Sequence, residues 1–247
     1  MSRRRFYAPP EAFADCAVTL SDDESHHLMR VLRLTIGDEI AVFDGCGNEY
    51  LCRFVAVQGK QGILERFSAL TDAVESPLAL TLAQGLAKGE KFDFIVQKAT
   101  ELGVTRIVPL LSDYADVKLN PQQAEKRLER WQRISLEALK QCGRRKLVEI
   151  SQPLTLSEVL EANQKQPMLC FNERGGIGLQ SALAQIVPQQ PVSVLIGPEG
   201  GWSDAEIDLL NQHHSQAVSL GRRILRTETA AIVALALLQY MLGDLSQ

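Results

Sequence analysis

Two short stretches near the end of the chain carry residue types that could do chemistry. In the first, Val192-Ser193-Val194-Leu195-Ile196 reads as an apolar strand running into Gly197-Pro198-Glu199-Gly200-Gly201-Trp202. Ser203 with Glu206 then forms a capping box that opens a helix. Glycines at the carboxyl end of a strand let backbone amides approach a ligand closely, at the place where α/β sheets hold one. A tight structural turn is the plainer alternative. The spacing is not G-x-G-x-x-G, and no phosphate-loop signature G-x-x-x-x-G-K-[ST] occurs. In the second stretch, Leu220-Gly221 leads into Arg222-Arg223-Ile224-Leu225-Arg226-Thr227-Glu228-Thr229-Ala230. Three arginines before an apolar helix are costly to bury without anionic partners. Glu228 suits the positive end of the helix dipole. Together the stretches point to a ligand site, anionic or nucleotide-like.

A third feature is cationic. Lys126, Arg130, Arg133, Lys140 and Arg144 fall within an arc of about 80° if one helix carries them all. Ala124, Leu128, Trp131, Ala138 and Cys142 fall opposite, so the helix is expected to bury its apolar stripe. The basic stripe is either a solvated face or a contact to phosphates. The whole chain of 247 residues has net charge −4, which alone would argue against a polyanionic partner. Its distribution is uneven: residues 78–150 carry 13 Lys and Arg against 9 Asp and Glu, and Arg3-Arg4-Arg5 adds a cluster near the start. A polyanion therefore stays open as a partner.

Other residues offer less. His26-His27 and His213-His214 read as surface or capping positions, and Lys88 and Lys91 as solvated cations at a helix start. Five widely spaced cysteines form no C-x-x-C pair, and no zinc spacing appears, so reduced thiols and no metal are expected. The arginines near the start are not followed by an apolar stretch, which argues against a signal peptide. The longest apolar run, Ala230 to Leu238, is about half of a membrane crossing. A cytoplasmic location follows as an expectation.

These residues need elements to position them. Residues 1–72 read as short strands with turns, among them Ile40 to Phe43, Tyr50 to Val55 and Gln61 to Glu65, which suggests a small β-barrel. A polar connection from Thr71 to Pro77 closes it. From residue 78 to 247 strands and helices alternate. Strands are expected at 78–84, 104–110, 167–172, 192–197 and 216–220, with a weaker one at 146–150. Helices are expected at about 90–102, 121–142, 155–164, 179–187, 203–213 and 228–242. That rhythm predicts an α/β domain with a largely parallel sheet and helices on both faces. On residues alone, a nicotinamide-dependent oxidoreductase and a non-catalytic RNA-binding module both remain readings of this layout.

The two signature stretches also resemble those of the SPOUT methyltransferases, and more narrowly the ribosomal RNA small subunit methyltransferase E family. The likeness continues through Arg5-Phe6-Tyr7, His27 with Val31-Leu32-Arg33, Phe43-Asp44-Gly45, Lys88-Gly89-Glu90-Lys91, Glu101-Leu102-Gly103 and Gln141-Cys142-Gly143-Arg144. It implies a PUA-like RNA-binding barrel over 1–72 and a SPOUT α/β domain over 78–247 with a deep trefoil knot. It implies a homodimer that uses S-adenosylmethionine (SAM) to methylate N3 of one uracil in the 16S ribosomal RNA of the small subunit. The cofactor would be held by Ile196, Gly197, Pro198, Glu199, Gly200 and Gly201, and by Leu220, Gly221, Ile224, Leu225, Arg226 and Thr227. The segment from Leu169 to Asn172 would add a third wall, with Leu169 and Asn172 its named contacts. Arg226 and Glu228 are the catalytic candidates, with Glu199 a further candidate base. Arg5, Arg30, Arg33, Lys88, Arg130, Arg133 and Arg144 are the candidates for binding RNA.

Overall fold

The chain alternates two structural rhythms, and a computed structural model describes residues 4–72, 74–187 and 189–246. Arg3 lies outside the described residues. In the first part the strands are β1 (Arg5–Tyr7), β2 (Phe13–Ala14), β3 (Ala17–Thr19), β4 (Glu39–Phe43), β5 (Glu49–Gln58) and β6 (Gln61–Leu70). They form one six-stranded sheet in the order β1-β4-β5-β6-β3-β2, antiparallel except for β1 against β4. A short helix α1 (Asp22–His26), capped by the Ser21 hydroxyl, leads into a π-helical turn over His27–Val31. Alternation along β4 to β6 sends Ile40, Val42, Cys52, Phe54 and Leu64 into a core with Phe6, Val18 and Leu28. His27 packs edge-on against Phe6, with ring centroids 5.9 Å apart.

This first unit comprises residues up to Glu75 together with Leu139–Leu147. Buried ion pairs tie the later segment in. Glu49, 5% exposed, accepts from Arg5 Nε at 2.6 Å and from Arg145 Nε at 2.9 Å. The other Arg5 nitrogens donate to the carbonyls of Leu139, Lys140 and Arg144. Arg145 reaches the carbonyls of Leu70 and Asp72, Arg144 pairs with Glu75 at 2.9 Å, and Lys140 pairs with Glu24.

The second unit, Ser76–Ala138 with Val148–Gln247, holds β7 (Leu80–Gly85), β8 (Arg106–Leu111), β9 (Glu149–Ile150), β10 (Leu154–Thr155), β11 (Met168–Phe171), β12 (Ile177–Gly178), β13 (Val192–Ile196) and β14 (Gln216–Ser219). Every pairing is parallel, in the order β10-β8-β7-β13-β11-β14-β12, with β9 on β8. The helices are α2 (Lys91–Glu101), α3 (Pro121–Cys142), α4 (Leu156–Ala162), α5 (Leu179–Leu183), α6 (Asp204–Gln212) and α7 (Thr227–Leu242). β7, β11 and β13 are buried at every residue because helices cover both faces. On one face Leu82 and Val194 pack with Phe92, Ile95, Ala234 and Leu238 of α2 and α7. On the other, Ala83 and Leu195 pack with Leu156, Leu160 and Leu210 of α4 and α6. Burying each such Leu, Ile or Val contributes about 1.5–3 kcal/mol over exposing it. Among the described residues no helix is long and apolar enough to cross a membrane, and all five cysteines are free.

The α/β expectation holds in the second unit, and α3 runs from 121 to 142 as its sequence predicts. The basic stripe does not hold. The helix stops at Cys142, so Arg144 is not on it, and Arg144 is only 5% exposed. Lys140 is turned into its pair with Glu24, and Arg130 Nε donates to Asp93 at 2.7 Å. Partners more than thirty residues away in sequence thus take up Arg130 and Lys140, while Lys126 and Arg133 stay exposed.

Candidate functional site

β13 sits between β7 and β11, and the loops at the carboxyl ends of β11, β13 and β14 converge there. They enclose a cavity of about 470 Å³, a size that suits a nucleoside-like ligand. Ile196 to Trp202 form one wall. Leu220, Gly221 and the run Arg223 to Thr227 form another, and Phe171, Asn172 and Glu173 a third.

Local chemistry explains why the chain takes this shape. Ser203 caps α6: its Oγ accepts from the Glu206 amide at 3.1 Å, and the Glu206 carboxylate accepts from the Ser203 amide at 2.8 Å. Ser203 Oγ also donates to Asp113 at 2.6 Å. Trp202 is buried and donates Nε1–H to the Phe171 carbonyl, linking two of the loops. Gly85, at the end of β7, permits a close approach: a Cβ there would lie 2.4 Å from the Pro198 nitrogen. Gly201 has φ +73°, a left-handed conformation that glycine adopts without strain.

A buried polar rivet joins the first wall to the second. Thr227 Oγ1 donates to the Gly197 carbonyl at 2.7 Å and accepts from Gln84 Nε2 at 2.9 Å. Gln84 also donates to the Gly85 carbonyl at 3.0 Å. The start of α7 is thereby held against the glycine loop.

The structure brings together Asn172, Ile196, Gly197, Pro198, Glu199, Gly200, Gly201, Leu220, Gly221, Ile224, Leu225, Arg226 and Thr227 on the cavity wall. Leu169 is elsewhere, fully buried in the core beneath it. Arg226 is the N-cap residue of α7, exposed and on the wall, as is Arg223. The arginines of this loop are solvated rather than buried. Glu228 does not line the cavity, and its Oε2 is buried with no hydrogen bond among the described residues. Glu199 is on the wall but occupied: its Oε1 accepts from Lys91 Nζ at 2.9 Å and from the Lys88 amide at 3.2 Å. Burial pushes its carboxyl up, yet the Lys91 hydrogen bond, the two backbone amides and the Lys91 charge outweigh that and leave it below the usual carboxylate range. A carboxylate so held is a poor proton acceptor at neutral pH.

Of the residues expected at RNA, Arg30 and Arg33 are exposed at and just after the π-helical turn, and Arg133 is exposed on α3. Lys88 is exposed and bound to Asp116 at 2.7 Å. Arg5 and Arg144 are corrected: both guanidinium groups are buried in the ion pairs and carbonyl contacts of the first unit, with no face left for a phosphate. Sequence reasoning missed Lys91, Glu173 and Val218 on the wall. Glu173 was within reach, since it directly follows Asn172 at the end of an apolar strand.

Two family models match the chain: an RNA methyltransferase domain over residues 74–239 and an RNA methyltransferase PUA domain over residues 20–65. Ribosomal RNA small subunit methyltransferase E of Synechocystis is 36% identical over 241 residues, covering 96% of this chain and 78% of that one. The Bacillus subtilis protein of the same name is 31% identical over 228 residues, covering 90% and 89%. Among solved structures, ribosomal RNA small subunit methyltransferase E from Neisseria gonorrhoeae, bound to SAM, superposes with a TM-score of 0.87. It is 34% identical, with 98% of this chain and 99% of that chain covered. A Legionella pneumophila protein solved with bound SAM gives 0.92 at 35% identity, covering 99% and 100%. The likeness thus runs along nearly the whole of this chain, and the chain belongs to the ribosomal RNA small subunit methyltransferase E family.

Proposed function

We propose that this protein transfers the methyl group of SAM to N3 of one uracil in the 16S ribosomal RNA of the small subunit, acting in the cytoplasm as a homodimer. The observation that carries the reading is the cavity where three loops meet at the carboxyl ends of β11, β13 and β14, in a chain whose relatives are solved with SAM. The residues present fit that cofactor. Gly197, Gly200 and Gly201 line one side of the cavity, while Ile196, Val218, Leu220 and Leu225 give an adenosine apolar walls. When bound, SAM supplies a methyl group made electrophilic by a cationic sulfur.

The chain's own residues do the rest. Uracil N3 carries a proton that must leave as the nucleophile forms, and the resulting charge spreads onto the flanking carbonyl oxygens. Arg226, exposed at the cavity and carried on a helix start, is placed to stabilise that charge better than water does. Neither Glu199, held by Lys91, nor Glu228, off the wall, offers a free base, so the proton passes to solvent. Alignment of donor and acceptor can lower a barrier by about 7–11 kcal/mol, which makes positioning the main contribution of this site.

Family likeness supports the trefoil knot in the α/β unit. An exposed apolar strip of Phe94 on α2 with Leu237, Tyr240 and Met241 on α7 supports self-association, and sedimentation as a monomer at micromolar concentration would remove that part of the proposal. The reaction itself is tested with labelled SAM and small subunits lacking the modification, followed by mapping of the methylated nucleotide. Methyl on a uracil N3 is expected; methyl on another atom, or none, overturns the assignment.

A further inference from the structure

The cavity wall carries five charged side chains: Lys91, Glu173, Glu199, Arg223 and Arg226. Lys91 and Glu199 neutralise each other across 2.9 Å. Arg223 and Arg226 are exposed at the mouth. Glu173 is exposed as well, its side chain 36% accessible, and differs in its lack of a hydrogen-bonded cation. It follows Asn172 at the end of β11, and its Oε1 lies 2.9 Å from where a side chain on Gly201 would begin, so the carboxylate faces the glycine loop. Its nearest cation is Arg174, whose Nε is 3.9 Å away, beyond hydrogen-bond range. Arg174 also leans toward Asp204, at 3.3 Å. No hydrogen bond to the Glu173 carboxylate exists among the described residues.

From this arrangement we infer that Glu173 makes the cavity prefer the cationic cofactor over its neutral product. The inference rests on the reading of this cavity as the SAM site. SAM carries a sulfonium. Loss of the methyl group to the uracil nitrogen leaves both electrons of the broken bond on sulfur, and S-adenosylhomocysteine has a neutral thioether in its place. The adenosine, the amine and the carboxylate are the same in both. A carboxylate that faces the ligand without a hydrogen-bonded counter-ion attracts the first form more than the second, because charges near a protein surface are screened less than in bulk water. The charge that helps draw the cofactor in is cancelled by the reaction, so the same residue favours exchange of product for fresh cofactor.

Calorimetry on the full chain with SAM and with S-adenosylhomocysteine tests this, comparing the native protein with Glu173→Gln. The expected result is a loss of about tenfold in SAM affinity, with product affinity changed less than threefold. An equal loss for both ligands would place Glu173 on the shared ribose or amine and overturn the inference, as would no change in either. Arg174→Ala supplies a second reading that does not depend on the first variant folding well. Removing the nearby cation should raise the ratio of SAM to product affinity, and an unchanged ratio counts against the inference. A native chain that binds neither ligand would overturn the cofactor reading itself, a different failure from an unchanged ratio.

Discussion

Thr227→Val isolates the rivet between the glycine loop and α7. Valine keeps the shape of threonine but deletes the hydroxyl that donates to the Gly197 carbonyl at 2.7 Å and accepts from Gln84 at 2.9 Å. Thr227 is 6% exposed and Gln84 is fully buried, so water does not readily replace either bond. The Gly197 carbonyl is left with only a long contact from Gln84 Nε2 at 3.5 Å, which costs about 1–3 kcal/mol, and Gln84 keeps its bond to Gly85. A loss of about 2 kcal/mol lowers the melting temperature by roughly 4–8 °C for a domain of this size. Thr227→Ser removes only a methyl group, about 0.8 kcal/mol, and should recover most of the loss. Thermal unfolding of the three proteins, with the KM for SAM measured alongside, gives the comparison. The valine variant should raise that KM more than it lowers kcat, because the Gly197 backbone loses its anchor. Melting of the valine variant at the native temperature, or of the serine variant as low as the valine one, would refute the reasoning.

Four further outcomes are expected. Arg226→Ala should keep cofactor affinity within a few fold and abolish methyl transfer; calorimetry showing that cofactor no longer binds would move Arg226 into the cofactor pocket. Glu49→Ala, which strands Arg5 and Arg145 in the first unit, should destabilise by about 3–5 kcal/mol in denaturant unfolding, and a loss under 1 kcal/mol would contradict the buried network. Arg30→Ala with Arg33→Ala should reduce the steepness with which RNA affinity falls with salt by about 0.7 for each phosphate the arginines neutralise; an unchanged slope removes both from the interface. Burial pushes the thiols of Cys52 and Cys170 up to about 12, so at pH 8 they stay protonated, while Cys16, Cys46 and Cys142 are exposed. Thiol titration should therefore count three groups in the folded protein and five after denaturation, and rapid labelling of all five would contradict that burial.

Much of the second unit is legible in sequence because its strands are apolar on both faces and its helices carry their own punctuation. Pro121 opens α3 and Gly143 follows its end, so its limits can be read without any partner. The first three strands are two or three residues long, too short for a period to show, and α1 has five residues. The glycine loop and the arginine loop are legible as ligand-facing because their residue types are poor choices for a packed interior. The fate of each arginine is not legible. Arg226 and Arg144 look alike in sequence, yet one lines a cavity and the other is folded against Glu75, and only the carboxylate 69 residues away decides between them. Lys91 escaped for the same reason, since Glu199 is 108 residues distant.

The segment Leu139–Leu147, which belongs to the first unit, has a consequence for synthesis. The first unit's sheet leaves the ribosome with its last strand at Leu70, but Arg145, which shares Glu49 with Arg5, is translated much later. At about 5–20 residues per second, that interval is on the order of ten seconds. During it the nascent first unit holds a carboxylate lacking one of its two native cations, and Arg5 lacks the carbonyls that its other nitrogens bind. The unit that begins first is thus completed only after a large part of the second has emerged, so its maturation is paced by translation of its neighbour.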